Sequence, residues 1–140
     1  MPIHTLEITN VRNLQRAKLE CSQYNNLIVG PNGSGKTSLL ESIVILSQGK
    51  SFRNSQKKSV IFEGNTNLTV TALLQNEIES ESIQGIRVGI SKLANGKTLA
   101  KIASEKVQRI SEITSLLPVC VIEPNSTEIV EGGPGLRRQV

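Results

Sequence analysis

The chain has 140 residues, a formal net charge of +4, 37% hydrophobic residues and only 2% aromatics. That composition supports one domain with a modest aliphatic core and excludes a disordered chain. The sequence has no long apolar run and no leader pattern, so membrane spanning and secretion are not expected. Cys21 and Cys120 stand alone without metal-ligand spacing and read as buried or inert thiols of a reduced, cytosolic protein. The basic excess fits either an anionic partner, nucleotide or nucleic acid, or a solvated basic surface.

Residues 3 to 11 include the alternation Leu6, Ile8 and predict a first strand. Ala17 to Cys21 alternates again and is expected to pair back as a hairpin. His4, the only histidine, is given no role. Asn26-Leu27-Ile28-Val29 is a short apolar run that reads as a buried strand. It leads into Gly30-Pro31-Asn32-Gly33-Ser34-Gly35-Lys36-Thr37, which matches the phosphate-binding pattern G-x-x-x-x-G-K-[ST] without a mismatch. Thr37 to Leu46 then carries apolar residues at helical spacing. Strand, glycine loop and helix form the context in which this motif binds phosphate. The glycines let successive N–H groups turn inward around anionic oxygens, and the helix adds its unpaired N–H groups and the positive end of its dipole. Lys36 would reach the β- and γ-phosphates, the Thr37 hydroxyl would ligate magnesium, and Ser38 would line the site.

Gly49 stands where a helix-ending glycine belongs. Leu46-Ser47-Gln48-Gly49 mimics the L-S-G-G-Q signature of ABC ATPases, but that signature must begin a different helix far downstream. Lys50, Arg53, Lys57 and Lys58 crowd the next loop around Phe52. Contact with DNA phosphates is one reading of this patch, and a solvated loop is the other. From Ser59 to Ile102 the pattern turns to β: Val60 to Phe62, Asn67 to Leu74, Ile86 to Lys92, and Lys97 to Ile102 returning from an Asn95-Gly96 turn, an antiparallel meander of about four strands. Lys106 to Leu117 places Val107, Ile110, Ile113 and Leu116-Leu117 on one helical face. Pro118 to Ile122 reads as a second buried strand. A glycine-rich loop, Gly132-Gly133-Pro134-Gly135, leads to Arg137-Arg138, which are read as phosphate-facing or structural.

A P-loop hydrolase also needs an Asp at a strand end to hold magnesium and a group that positions water. Glu123 is the one acid in such a place. It is Glu rather than Asp, Pro124 follows at once, and no second acid adjoins it. The chain therefore reads as a phosphate cradle without hydrolytic machinery, with a small self-contained NTPase or kinase using Glu123 as the alternative.

Several stretches together resemble the N-terminal part of the RecF family, bacterial ATPases of recombination and replication repair. Leu6-Glu7-Ile8-Thr9-Asn10-Val11-Arg12-Asn13 is similar to its L-x-I-x-x-F-R-N opening, with Val11 in place of Phe. Gly30 to Ser38 is similar to its G-x-N-G-S-G-K-T-S loop, and Ser51-Phe52-Arg53 to its S/A-F-R. Ile122-Glu123-Pro124 and Gly132 to Arg138 are similar to its I-x-P and G-G-P-x-x-R-R elements, with Asn125 where an acid is common.

The resemblance implies an α/β fold, the P-loop lobe I of an ABC/SMC-type ATPase head with an antiparallel β layer. Residues 1–140 would form that lobe, with the helical arm and second lobe absent, as in a truncated product or fragment. It also implies ATP and magnesium as cofactors and an ATP-sandwich homodimer. Binding is implied at junctions of single- and double-stranded DNA, with RecO and RecR, to load recombinase at gaps during replication, repair and the SOS response to DNA damage. The signature motif and Walker B acids belong to the second lobe, so weak or no ATP binding and no turnover are expected of this chain alone, with weak ATPase only in a full-length dimer. The remaining alternative is an inactive basic DNA-binding fragment.

Overall fold

The computed structural model describes residues 1–53, 59–75 and 85–124. The first strand, β1 (Ile3–Val11), forms as its alternation predicts, with Leu6 and Ile8 buried. Near its end Asn10 and Arg12 take left-handed backbone angles, φ 58° and 51°. This shifts the alternation so that Val11 is also fully buried. The chain turns back through Arg12 and Asn13 into β2 (Leu14–Glu20), with Val11 opposite Leu14.

The later β segments form β3 (Asn67–Gln75), β4 (Gly85–Leu93) and β5 (Thr98–Ile102). Gly96, at φ 89°, makes the β4–β5 turn where Asn95-Gly96 places it. These strands pair in sequence as the expected antiparallel meander. Among the described residues they join β1 in one six-stranded antiparallel sheet of order β2-β1-β3-β4-β5-β6, with β6 at Glu105–Val107, because β1 pairs with β3 over most of its length. Val60 to Phe62, expected as a strand, makes a single bridge from Ile61 to Val11.

One face of the sheet is covered by α1 (Lys36–Gln48), with α2 (Ile110–Leu116) packed beside it. Ile45 and Leu46 of α1 join Ile113, Leu117 and the inward residues of β1, β3 and β4 in an aliphatic core. Gly49 ends α1 at φ 73°, its N–H bonding the Ile45 carbonyl at 2.8 Å. Lys92 of β4 adds a cation at that end, its Nζ donating to the Gly49 carbonyl at 2.6 Å. Among the described residues no helix is long and apolar enough to cross a membrane.

Three further expectations are corrected. The helix predicted from Lys106 to Leu117 is shorter. Ala103 and Ser104 both adopt positive φ, 50° and 70°. They make a tight turn of the kind that joins antiparallel strands, and Glu105–Val107 returns from it as β6, paired with β5. Asn26 to Val29 and Pro118 to Ile122 are not strands and are not buried. Leu27 is 89% exposed, Val29 78% and Ile122 87%, and Cys120 is exposed with them. Apolar runs become interior strands only when other strands flank them, and among the described residues neither run has a pairing partner.

Candidate nucleotide-binding site

The phosphate-binding loop takes the conformation its glycines allow. Gly33 and Gly35 have φ of 81° and 101°, and Ser34 N–H closes a turn on the Pro31 carbonyl at 3.2 Å. Gly35 is the N-cap of α1. It has no side chain to occupy the first-turn N–H groups, and no acid lies in that turn. The first intrahelical bond runs from Leu39 N–H to the Gly35 carbonyl, so the N–H groups of Lys36, Thr37 and Ser38 are the orphan donors of the helix start. Lys36 arches over the loop, its Nζ donating to the carbonyls of Gly30 and Pro31. Thr37 is exposed and Ser38 is buried.

The β1–β2 turn closes the loop from the side. Asn13 Nδ2 donates to the Gly33 carbonyl at 3.0 Å, while its Oδ1 accepts from Ser38 Oγ at 2.8 Å. One amide thus ties the loop to the helix start. Leu14 follows directly and packs against Gly35, where a Cβ would lie 2.6 Å from Leu14 Cδ2. The positive φ favours glycine, and any Cβ would also have to push the end of the Leu14 side chain aside.

Beneath the loop sits Glu41, on α1 and fully buried. Arg12 grips its carboxylate through Nη2 at 2.8 Å and Nε at 3.0 Å. Ser51 Oγ donates to the same carboxylate, and Arg53 Nη1 lies 3.6 Å away. Burial alone would push the Glu41 carboxyl up. The hydrogen bonds from Arg12 and Ser51, with the charges of Arg12 and Arg53, together outweigh it and hold the group below its ordinary value of 4.5. The unfolded chain therefore takes up this proton first as pH falls. The stability from this group is complete above about pH 4.5 and is lost as pH drops through the lower folded value. Acid titration of unfolding is expected to show this loss in the native chain, and Glu41→Gln is expected to remove it. An unchanged acid limb in the variant would contradict that assignment.

These groups surround a cleft of about 870 Å³ lined by Lys36, Thr37 and Ser38, by Arg12 and Asn13, by Arg53, and by Ile61, Phe62 and Glu63. That is a size suited to a nucleotide-scale ligand. The lining combines backbone N–H groups and cations with Ile61, which is mostly buried, the half-buried Phe62 and the exposed Glu63.

A family model for the RecF/RecN/SMC N terminal domain matches residues 2–127. The chain belongs to this family. It is 40% identical, over 99% of its length, to the DNA replication and repair protein RecF of Marinomonas sp. (strain MWYL1), and covers 37% of that protein. A solved structure of the recombination mediator protein RecF with ATP superposes with a TM-score of 0.80 at 30% identity, over 99% of this chain and 36% of the other. A structure from work on ATP-driven dimerization and DNA-stimulated activation of SMC ATPases superposes with a TM-score of 0.78 at 20% identity, covering 99% and 96% of the two chains. At that identity the likeness is one of fold. The expectation of an α/β P-loop lobe of a RecF/SMC-type head is borne out, and the chain spans about a third of the length of the curated relatives it matches.

Of the residues singled out in the sequence, Asn32, Gly33, Gly35, Lys36, Thr37 and Ser38 come together at the cleft. Gly30, Pro31 and Ser34 shape the loop behind them. The basic patch divides. Arg53 lines the cleft beside Glu41, Lys50 is exposed, and Lys57 and Lys58 lie outside the described residues. Arg137, Arg138 and the glycine-rich loop before them also lie outside. Glu123 is exposed and is not part of the cleft lining. Sequence reasoning missed Glu41 altogether, because a Glu in a helix ordinarily faces water. The available signal was its spacing from Ser38, Ser42 and Ile45, which puts a carboxylate on a face that also points inward.

Proposed function

We propose that this chain is the nucleotide-binding part of a RecF-type ATPase of DNA replication and recombinational repair, and that it holds ATP with magnesium on its phosphate loop. One observation carries the reading: the unclaimed N–H groups of the α1 start, Lys36 and two arginines converge on one cleft of nucleotide size. The chemistry matches a polyphosphate, since backbone donors, a point charge and guanidinium forks all favour phosphate oxygens. Phe62, which lines the same cleft, is the side chain proposed to meet a base. Thr37 would supply its exposed hydroxyl to magnesium, whose remaining ligands would be phosphate oxygens and water. Among the described residues no cluster of three or more His, Cys, Asp or Glu could hold a metal by itself. The acids and signature motif that hydrolysis requires would come from the rest of such a protein and from the second subunit of an ATP-bridged dimer. Turnover by this chain alone is therefore not expected.

In the cell the protein would act in the cytoplasm, in the response to DNA damage, at junctions of single- and double-stranded DNA. Mediators of the RecO and RecR type would be its partners in loading recombinase. Lys50, Arg53, Lys57 and Lys58 are the basic residues proposed nearest to DNA phosphates, with Arg53 shared with the cleft.

The test is equilibrium binding of a fluorescent ATP analogue with magnesium. Lys36→Ala should weaken binding by about 10- to 100-fold, the value of a charge-assisted bond to phosphate. Equal binding by native chain and variant would overturn the reading.

A further inference from the structure

We infer that Glu41 is a positioning residue of the nucleotide site, one buried carboxylate on α1 that sets Arg12 and Arg53 at the lip of the phosphate cradle. This rests on the nucleotide-binding reading above. Glu41 has no exposed surface, and it stands one helical turn after Thr37 and Ser38, on the same element that carries the backbone donors. Its partners come from two other segments: Arg12 from the β1–β2 turn, and Ser51 and Arg53 from the chain that follows α1. Both arginines line the cleft. A core position on this helix would pack equally well with Leu or Met, and an apolar side chain would carry no desolvation cost. What only a carboxylate does here is tie two cleft-lining cations to the rigid helix.

The two arginines are held differently. Arg12 makes a two-point contact at 2.8 and 3.0 Å, and its side chain is 13% exposed. Arg53 approaches to 3.6 Å and leaves 44% of its side chain in solvent. Ser51 completes the arrangement, its Oγ donating to Glu41 while accepting the Arg53 N–H at 2.9 Å. Arg12 is thus the structural partner, and Arg53 is the cation presented to an anionic ligand. Its orientation is set through Glu41 and Ser51.

The experiment is a double-mutant cycle on affinity for the fluorescent ATP analogue with magnesium, using the full chain, Glu41→Gln, Arg53→Ala and both together, each checked for cooperative unfolding. Glu41→Gln is expected to weaken binding about 5- to 10-fold and Arg53→Ala about 10-fold. The double variant should match Arg53→Ala, because Glu41 acts through that side chain. Losses that multiply would overturn the inference, as would a folded Glu41→Gln chain that binds like the native one. Ser51→Ala serves if Glu41→Gln does not fold. It leaves the Arg12–Glu41 pair intact, costs less stability than loss of that pair, and should still weaken binding several-fold in a chain that unfolds cooperatively, whereas unchanged affinity would overturn the inference. No binding by the native chain would overturn the nucleotide reading itself, and this inference with it. Native binding with indifferent variants overturns the role of Glu41 alone.

Discussion

Arg12→Ala is expected to lower stability by about 3 kcal/mol. Truncation leaves a fully buried carboxylate without its principal partner, and breaking a buried pair on one side costs about 3–5 kcal/mol. The lower end applies because Ser51 and Arg53 remain near Glu41. Thermal unfolding should show a fall in midpoint on the order of 10 °C for a domain of this size. Arg53→Ala is the matched control. Its contact with the same carboxylate is at 3.6 Å and half in solvent, so it should cost under about 1 kcal/mol. Comparable losses in the two variants would show that burial of Glu41 is not what makes Arg12 essential. Glu41→Leu combined with Arg12→Leu separates charge from shape: if the pair is held for positioning rather than for stability, the double variant should recover most of the lost stability and none of the lost nucleotide affinity.

Gly35→Ala is expected to abolish nucleotide binding while the sheet still folds. Two penalties coincide at this position. The backbone sits at φ 101°, which costs an L-residue about 1–3 kcal/mol. A Cβ would also stand 2.6 Å from Leu14 Cδ2, so either Leu14 or the loop must move. Gly33→Ala shares only the first penalty, since φ is 81° there and no atom lies within 4 Å of the added Cβ. The two variants measured together separate torsion from contact. Gly35→Ala should lose binding altogether, and Gly33→Ala should lose about tenfold. If the two behave alike, the close approach of the β1–β2 hairpin is not what shapes the cradle.

How far this site could be read from the chain depends on the range of the interactions that build it. The loop from Gly30 to Thr37, the helix after it and its stop at Gly49 are local events, and the residue pattern states them directly. The hairpin strands β1, β2, β4 and β5 were legible for the same reason, through alternation and turn chemistry. Arg12 and Asn13 entered the sequence reading only within a family resemblance. Nothing local says that a turn twenty residues upstream lies against Gly33 and Ser38. At Asn26 to Val29 and Pro118 to Ile122 the opposite holds: apolar runs predict buried strands, yet Leu27 and Ile122 face water.

By itself, then, the sequence determined a phosphate cradle mounted on a helix, an aliphatic core and a largely antiparallel set of strands. Each follows from torsional preference or from apolar periodicity within a dozen residues. Long-range strand pairing sets β1 between β2 and β3, which carries the Arg12–Asn13 turn onto the cradle. The same packing buries Glu41 where it gathers Arg12, Ser51 and Arg53. Strand pairing and ion pairing join residues far apart in the chain, and their free energy depends on which surfaces meet and exclude water, a property of the assembled fold and not of any segment.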